Sequence, residues 1–301
     1  MMTRLSALVV LGLAIGAATP RIGHAGGDAR STGSLVGALG QPTRDAERRA
    51  LEAVPLDRMA AAERAIAERT IRRCTLARRL PEASISCDPA LVEFVLSKPE
   101  TLVDVWRVLG ISRLALDPTG PGAWRFSDGY GTTGSVRLLH RERGDHGGLY
   151  VFHGTGGYDG PLAPKPLTGS CVVVVRHSTD AAGVRPRQTV RIDAFLDVDG
   201  MGLEIVTRTL QPLIIRSAAT NVHEISLFIS QFAAAAARNP AAVSRMAERM
   251  TRTTPEDRRR LVALAAGTAA TRTTSSTAAD VHAELAARWM TAEQLDAVRP
   301  R

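Results

Sequence analysis

The sequence predicts an α+β protein in which an antiparallel sheet precedes one long C-terminal helix, with helical extensions at both ends. Three observations carry this. The hydrophobic period is helical up to Leu109, alternating between Ser112 and Val198, and helical again after Gly200. Turn signals cut the alternating region into short pieces, as in a series of hairpins. Two of those pieces are apolar on one parity and polar or charged on the other, which gives a sheet one dry and one wet face.

Residues 1–25 have the layout of a secretory signal peptide. Arg4 is followed by an apolar stretch from Ala7 to Ala18, and Gly23-His24-Ala25 offers the small residues of a cleavage site. The stretch is shorter than the ~20 residues of a spanning helix. No cysteine precedes Cys74, so no lipoprotein acylation site is present in this segment. The expectation is an exported, periplasmic or extracellular protein with a mature start near Gly26. Residues 26–42, rich in Gly, Ser and Thr, read as a flexible linker.

Residues 43–87 read as a helical N-terminal segment. Thr43 to Val54 opens with Asp45 and Glu47, acids suited to a helix start. After Pro55, Leu56 to Leu80 carries Met59, Ala62, Ile66, Ile71 and Leu76 at roughly helical spacing. Arg69, Arg72, Arg73, Arg78 and Arg79 make this the densest basic segment, a solvated face by default and a site for an anionic surface or acidic partner in the sharper reading.

Asp88-Pro89 pairs a capping carboxylate with proline at the first helical position. Leu91, Val92, Phe94, Val95 and Leu96 make that helix strongly buried. Pro99 starts a second short helix containing Trp106, closed by Gly110. Strands are expected at Ser112–Leu116, Ala123–Ser127, Ser135–Arg141, Gly148–His153, Ser170–His177 and Gln188–Val198. Val136, Leu138 and His140 share one parity, and so do Val190, Ile192, Ala194 and Leu196. The run Val172–Val175 does not alternate, which predicts cover on both faces.

The last long helix is expected over Leu203 to Arg238, kinked or broken near Gln211 by Pro212. Val222, Ile225, Phe228, Ile229 and Phe232 form its apolar stripe. Residues 239–301 read as small helices, with capping signals at Thr254-Pro255-Glu256-Asp257 and Thr291-Ala292-Glu293-Gln294. The Thr, Ser and Ala-rich stretch from Gly267 to Ala279 reads as a mobile link.

This order of elements resembles the helix-grip architecture of the START-like, or polyketide cyclase and lipid-transport, superfamily. The resemblance is carried by the strand set from Ser112 to Val198 and the helix Leu203 to Arg238, with residues 88–238 as the module. It implies a curved sheet gripping the long helix and an apolar cavity between them.

Composition narrows the function classes. The net charge is +8, but only Lys98 and Lys165 are lysines among 38 basic residues, so arginine-rich coding bias is the simpler source of the charge. Aromatics are scarce, with 3 Trp, 3 Tyr and 6 Phe, which argues against nucleic-acid grooves built on stacked rings. Of three cysteines, Cys74 and Cys87 flank a turn around Pro81 and are expected to pair in an oxidising compartment. Cys171 reads as a small core hydrophobe.

No catalytic or metal site emerges. His223-Glu224 lacks the second histidine of a zinc-protease helix, since residue 227 is Leu. Gly154-Thr155-Gly156-Gly157 is followed by prolines instead of a helix, and reads as a hairpin or cavity-mouth loop. No Gly-x-Ser-x-Gly elbow occurs. No cofactor is implied. The leading expectation is binding of an apolar or amphipathic small molecule. Its walls would come from Val136, Leu138, Ile192, Ala194, Leu196, Phe228 and Phe232, with Trp106 nearby and His140 and Tyr150 as polar contacts. A pocket of ~300–1,000 Å³ is expected. The alternative is a non-catalytic structural or interaction protein of the cell envelope, with a filled core.

Overall fold

A computed structural model describes Arg48 and residues 51–159, 166–180, 186–199 and 203–267, with backbone alone for 203–214. The signal segment, the linker, most of the Thr43–Val54 helix, the Gly267–Ala279 link beyond its first residue and the capping signal at Thr291 lie outside the described residues.

After a 3-10 turn at Leu56–Arg58, the elements are α1 (Ala61–Arg73), β1 (Leu76–Arg79), β2 (Ala83–Ser86), α2 (Pro89–Ser97) and α3 (Pro99–Leu109). Then come β3 (Ala115–Gly120), β4 (Ala123–Ser127), β5 (Thr132–Gly144), β6 (Gly147–Tyr158), β7 (Leu167–Asp180) and β8 (Arg187–Asp199). Three helices close the described chain: α4 (Leu203–Arg238), α5 (Pro240–Glu248) and α6 (Pro255–Ala266). All eight strands form one antiparallel sheet in the order β1-β8-β7-β6-β5-β4-β3, with β2 also paired to β8.

Several local signals act as the sequence predicts. Asp88 accepts the amide of Ala90 at 2.8 Å, and Gly110 ends α3 with φ 72°. Thr254 caps α6 by accepting from the amide of Asp257 at 3.1 Å. Asp128 accepts amides of Tyr130 and Thr132, folding the β4–β5 turn.

Other expectations need correction. Residues 43–87 are not helical throughout, because β1 and β2 pair in succession along β8. Leu76 continues the helical spacing of Ile66 and Ile71, yet it lies on a strand and, like Ile85 of β2, is buried in the inner cluster of the sheet. Edge pairing to β8 overrides local periodicity here. Gly154-Thr155-Gly156-Gly157 is not a loop. It continues β6, opposite Cys171, Ser170, Gly169 and Thr168 of β7. Glycine fits because the strands crowd: a Cβ at Gly134, paired with Gly156, would collide with the Thr155 carbonyl and the Phe126 ring. Pro118 lies within β3, a sheet edge where its missing N–H is tolerated. The long helix runs as one 36-residue element through Pro212, so the expected break is absent. Proline removes one backbone hydrogen bond and can bend a helix without ending it.

The sheet has two covered faces. Its inner face, carrying Phe126, Phe152, Val173 and Val175, packs against α2, α3 and α4, and α5 and α6 pack on those helices. Its outer face, carrying Val151, Val172, Val174 and Phe195, packs under Ala67 and Ile71 of α1. The Val172–Val175 run is therefore buried on both sides. The charged parity of β8 is not a wet face: Asp193 is fully buried there, holding Arg79 at 2.7 Å and Arg176 at 3.1 Å.

No disulfide joins Cys74 and Cys87. Cys74 packs with the outer cluster and Cys87 belongs to the inner one. Between them β1 and β2 run from Leu196 to Arg187 along β8, about 30 Å at ~3.3 Å per residue. A bridge needs Cα atoms within ~7 Å. The turn at Pro81 bends the edge without reversing it.

Candidate functional site: an apolar cavity between sheet and helices

The inner face borders a partly open cavity of about 90 Å³. Val222, Ile225 and Ile229 of α4 form one wall, at the i, i+3, i+7 spacing of a single helical face. Opposite stand residues from the middle of the sheet, among them Trp124, Phe152 and Val173, while α2 contributes Val92, Val95 and Leu96. The one hydroxyl of the α4 wall, Ser226, donates back to the Val222 carbonyl at 2.7 Å. The volume is well short of the expected ~300–1,000 Å³. It is several times the ~10–15 Å³ that one water needs. Large side chains explain the difference, since Trp124 and Phe152 occupy the concavity that a wider pocket would leave open.

Of the residues expected to line the site, Val136 and Ile192 do so. Leu138, Ala194 and Leu196 lie in or against the same inner cluster, off the cavity wall. Phe228, Phe232 and Trp106 are inner-core residues too, but they join α4 to α3. Trp106 meets Phe228 edge-on at 6.0 Å, and Phe228 stacks on Phe232 at 6.2 Å. One residue is ~100° of helix, so Ile229 faces the cavity while Phe228 faces α3.

His140 does not belong to the site. A β-bulge falls between Leu138, opposite Phe152, and His140, opposite Val151. The extra residue, Leu139, turns the rest of β5 over. His140 shares the outer face with Val151, and its Nε2 lies 2.6 Å from Glu142 Oε1. Parity counted along the sequence fails at a bulge.

Tyr150 is on the inner face, fully buried, its ring stacked on Phe152 at 6.3 Å. Its hydroxyl has no hydrogen-bond partner in the protein. The His177 ring nitrogens and Gln188 Nε2 make no well-formed hydrogen bond, although the two side chains lie within interaction distance of each other. His177 and Gln188 are also nearly fully buried. Burial drives the His177 pKa down, against a smaller upward pull from Glu93 and Gln188, and the ring is neutral near pH 7. Neither His177 nor Gln188 was identified from sequence. The available signal was parity: His177 continues Val173 and Val175, and Gln188 begins the series Val190, Ile192.

Cys87 and Cys171 offer no nucleophile. Burial pushes the thiols of Cys87 and Cys171 up to about 12. Among the described residues no group of three or more His, Cys, Asp or Glu could hold a metal ion. Likewise, no described helix is long and apolar enough to cross a membrane. The basic segment is largely engaged with its own chain: Arg72 with Glu68, Arg73 with Asp197 and Asp199, Arg79 with Asp193. An arginine already facing a carboxylate projects less field towards an anionic surface.

No protein-family model matches the chain, and no curated protein matches it. A solved structure, the Mll3558 protein from Rhizobium loti, aligns with 48% of this chain and 97% of its own at 18% identity and a TM-score of 0.29. A score that low carries no argument about fold or function.

Proposed function

We propose that this protein binds an apolar or amphipathic small molecule non-covalently in the cavity between the sheet and α4. The observation that carries this is the cavity itself, which is walled by hydrocarbon side chains from the sheet and three helices. Interiors are normally packed without voids of this size. The volume suits a short apolar segment, such as a chain of a few carbons or the tip of a longer one. The order of β1 and β2, two short helices, the remaining strands and a long helix supports reading residues 76–238 as a helix-grip-like module of the START-like kind. The layout of residues 1–25 supports export.

The test is titration of the purified protein with hexane, followed through the methyl resonances of Val173, Val175 and Ile192. Saturable shifts are expected, and Ile225→Trp, which fills the cavity from α4, should abolish them in a folded protein. Absence of saturable shifts in the parent protein, or shifts that persist in Ile225→Trp, would favour a filled interaction scaffold instead.

A further inference from the structure

The geometry points to an amphiphile with one unbranched alkyl chain, which enters the cavity tail-first between β5 and α4 and leaves its polar head outside. This rests on the binding reading above and specifies its ligand class and orientation.

The wall offers a polar head nothing to bind. Three side chains among the described lining residues carry a nitrogen, oxygen or sulfur atom, and each is already engaged. Trp124 donates its indole N–H to Glu100 at 2.7 Å. Ser226 donates to the Val222 carbonyl at 2.7 Å. The Cys171 thiol meets the backbone of Gly154, and burial keeps it neutral near pH 7. A carboxylate, hydroxyl or amide taken inside would lose its water and gain no partner. The buried part of the ligand is therefore hydrocarbon alone.

The cavity has a closed end and an open one. At the closed end stand Ile85 of β2, Val190 of β8 and Ile229 of α4, all buried. Beside them Ser230 Oγ accepts the amide of Ser86 at 3.0 Å, which seats α4 on β2. Among the described lining residues only Val136 of β5 and Ile225 of α4 are half-buried, and they mark the opening. Val136 is level with Gly154 and Cys171, where β6 brings no side chain to the wall. Val190 is level with His177, six residues further along β7 than Cys171. The wall thus runs obliquely from the opening to the β2 edge.

Size selects the chain. A cavity of ~150 Å³ takes one benzene ring. This one is smaller, at about 90 Å³, and its wall is long for that volume, so the space is narrow. A ring does not fit it, whereas an alkyl chain threads it. Trp124 sets the width. Its hydrogen bond to the buried Glu100, and its packing on Phe152 at 6.5 Å between ring centres, hold the indole across the concavity.

The experiment compares octanol, the octane diol with a hydroxyl at each end, and benzene. Each is followed through the valine and isoleucine methyl resonances of the purified protein. Octanol should bind. The diol should bind at least about thirtyfold more weakly, because its second hydroxyl enters the closed end without a partner. Benzene should give no saturable shift. A nitroxide (TEMPO) ester of octanoic acid then places a spin label at the head. It should broaden the methyls of Val136 and Ile225 more than those of Ile85 and Val190. The reverse order, or a diol bound as tightly as octanol, overturns tail-first entry and leaves the cavity reading in place. So does a protein that binds hexane but not octanol. Benzene bound more tightly than octanol overturns the single chain. Failure of hexane and octanol alike overturns both readings.

Discussion

Trp124 donates its indole N–H to Glu100 Oε2 across 2.7 Å, inside the core where β4 meets the first turn of α3. The carboxylate is nearly fully buried, and burial raises its pKa above the ordinary 4.5. The folded state thus favours the protonated acid. Its stabilising contribution is complete below about pH 4.5 and is lost as pH rises through the raised value. Glu100→Gln keeps an acceptor for Trp124 and removes the charge. Urea midpoints measured from pH 4.5 to 7 should show the variant gaining on the parent protein as pH rises. A difference independent of pH would contradict this.

Two histidines, His177 buried and His153 half-buried, act in the opposite direction. His153, which touches the Thr70 hydroxyl at 3.3 Å, has its pKa lowered by burial and then by Arg137. His177 is lowered mainly by burial. Both fold as neutral rings, so their contribution is complete above the ordinary 6.5 and is lost as pH falls below it. The urea midpoint is expected to drop between pH 7.5 and 5.5, and His177→Gln should flatten that slope. An unchanged slope in the variant would remove His177 from the account.

Asp193 is the hub of the outer face, shared by Arg79 and Arg176. Asp193→Ala leaves two half-buried guanidinium groups without their carboxylate and should cost about 3 kcal/mol, the low end for a broken buried pair. Arg79→Met should cost less, because Arg176 still holds the carboxylate. Chemical denaturation of both variants checks the order, and the reverse order would refute it.

Thiol labelling distinguishes the three cysteines. Cys87 and Cys171 are buried with raised pKa values, whereas Cys74 is half-buried. In the native protein Cys74 is expected to label first and the other two slowly. In denaturant without reductant all three should label, and a count of one would reveal a disulfide.

Export has its own measurement. Intact-mass analysis of the protein recovered from its native cell should give an N-terminus near Gly26. An intact Met1 in the cytoplasm would rule it out.

The sequence by itself determined the local features. The capping of α2 and α6, the αL end of α3 and the β4–β5 turn follow from interactions within a few residues, where chain connectivity enforces proximity; the two-sided burial of Val172–Val175 was legible because an unbroken apolar run needs cover on both faces, although distant elements supply it. Val136 and Ile192 were legible as cavity residues because their strands keep strict alternation around them. Only the tertiary structure decided the rest. Leu139 forms a bulge whose position depends on the register with β6, so His140 faces outward although its parity points inward. Leu76–Arg79 and Ala83–Ser86 are strands because β8 offers them an edge, a partner more than a hundred residues away. Cys74 and Cys87 are close in sequence and distant in space for the same reason. The cavity depends on how large side chains from four or more elements fail to fill one another's gaps. That is a property of three-dimensional packing, and no one-dimensional pattern records it.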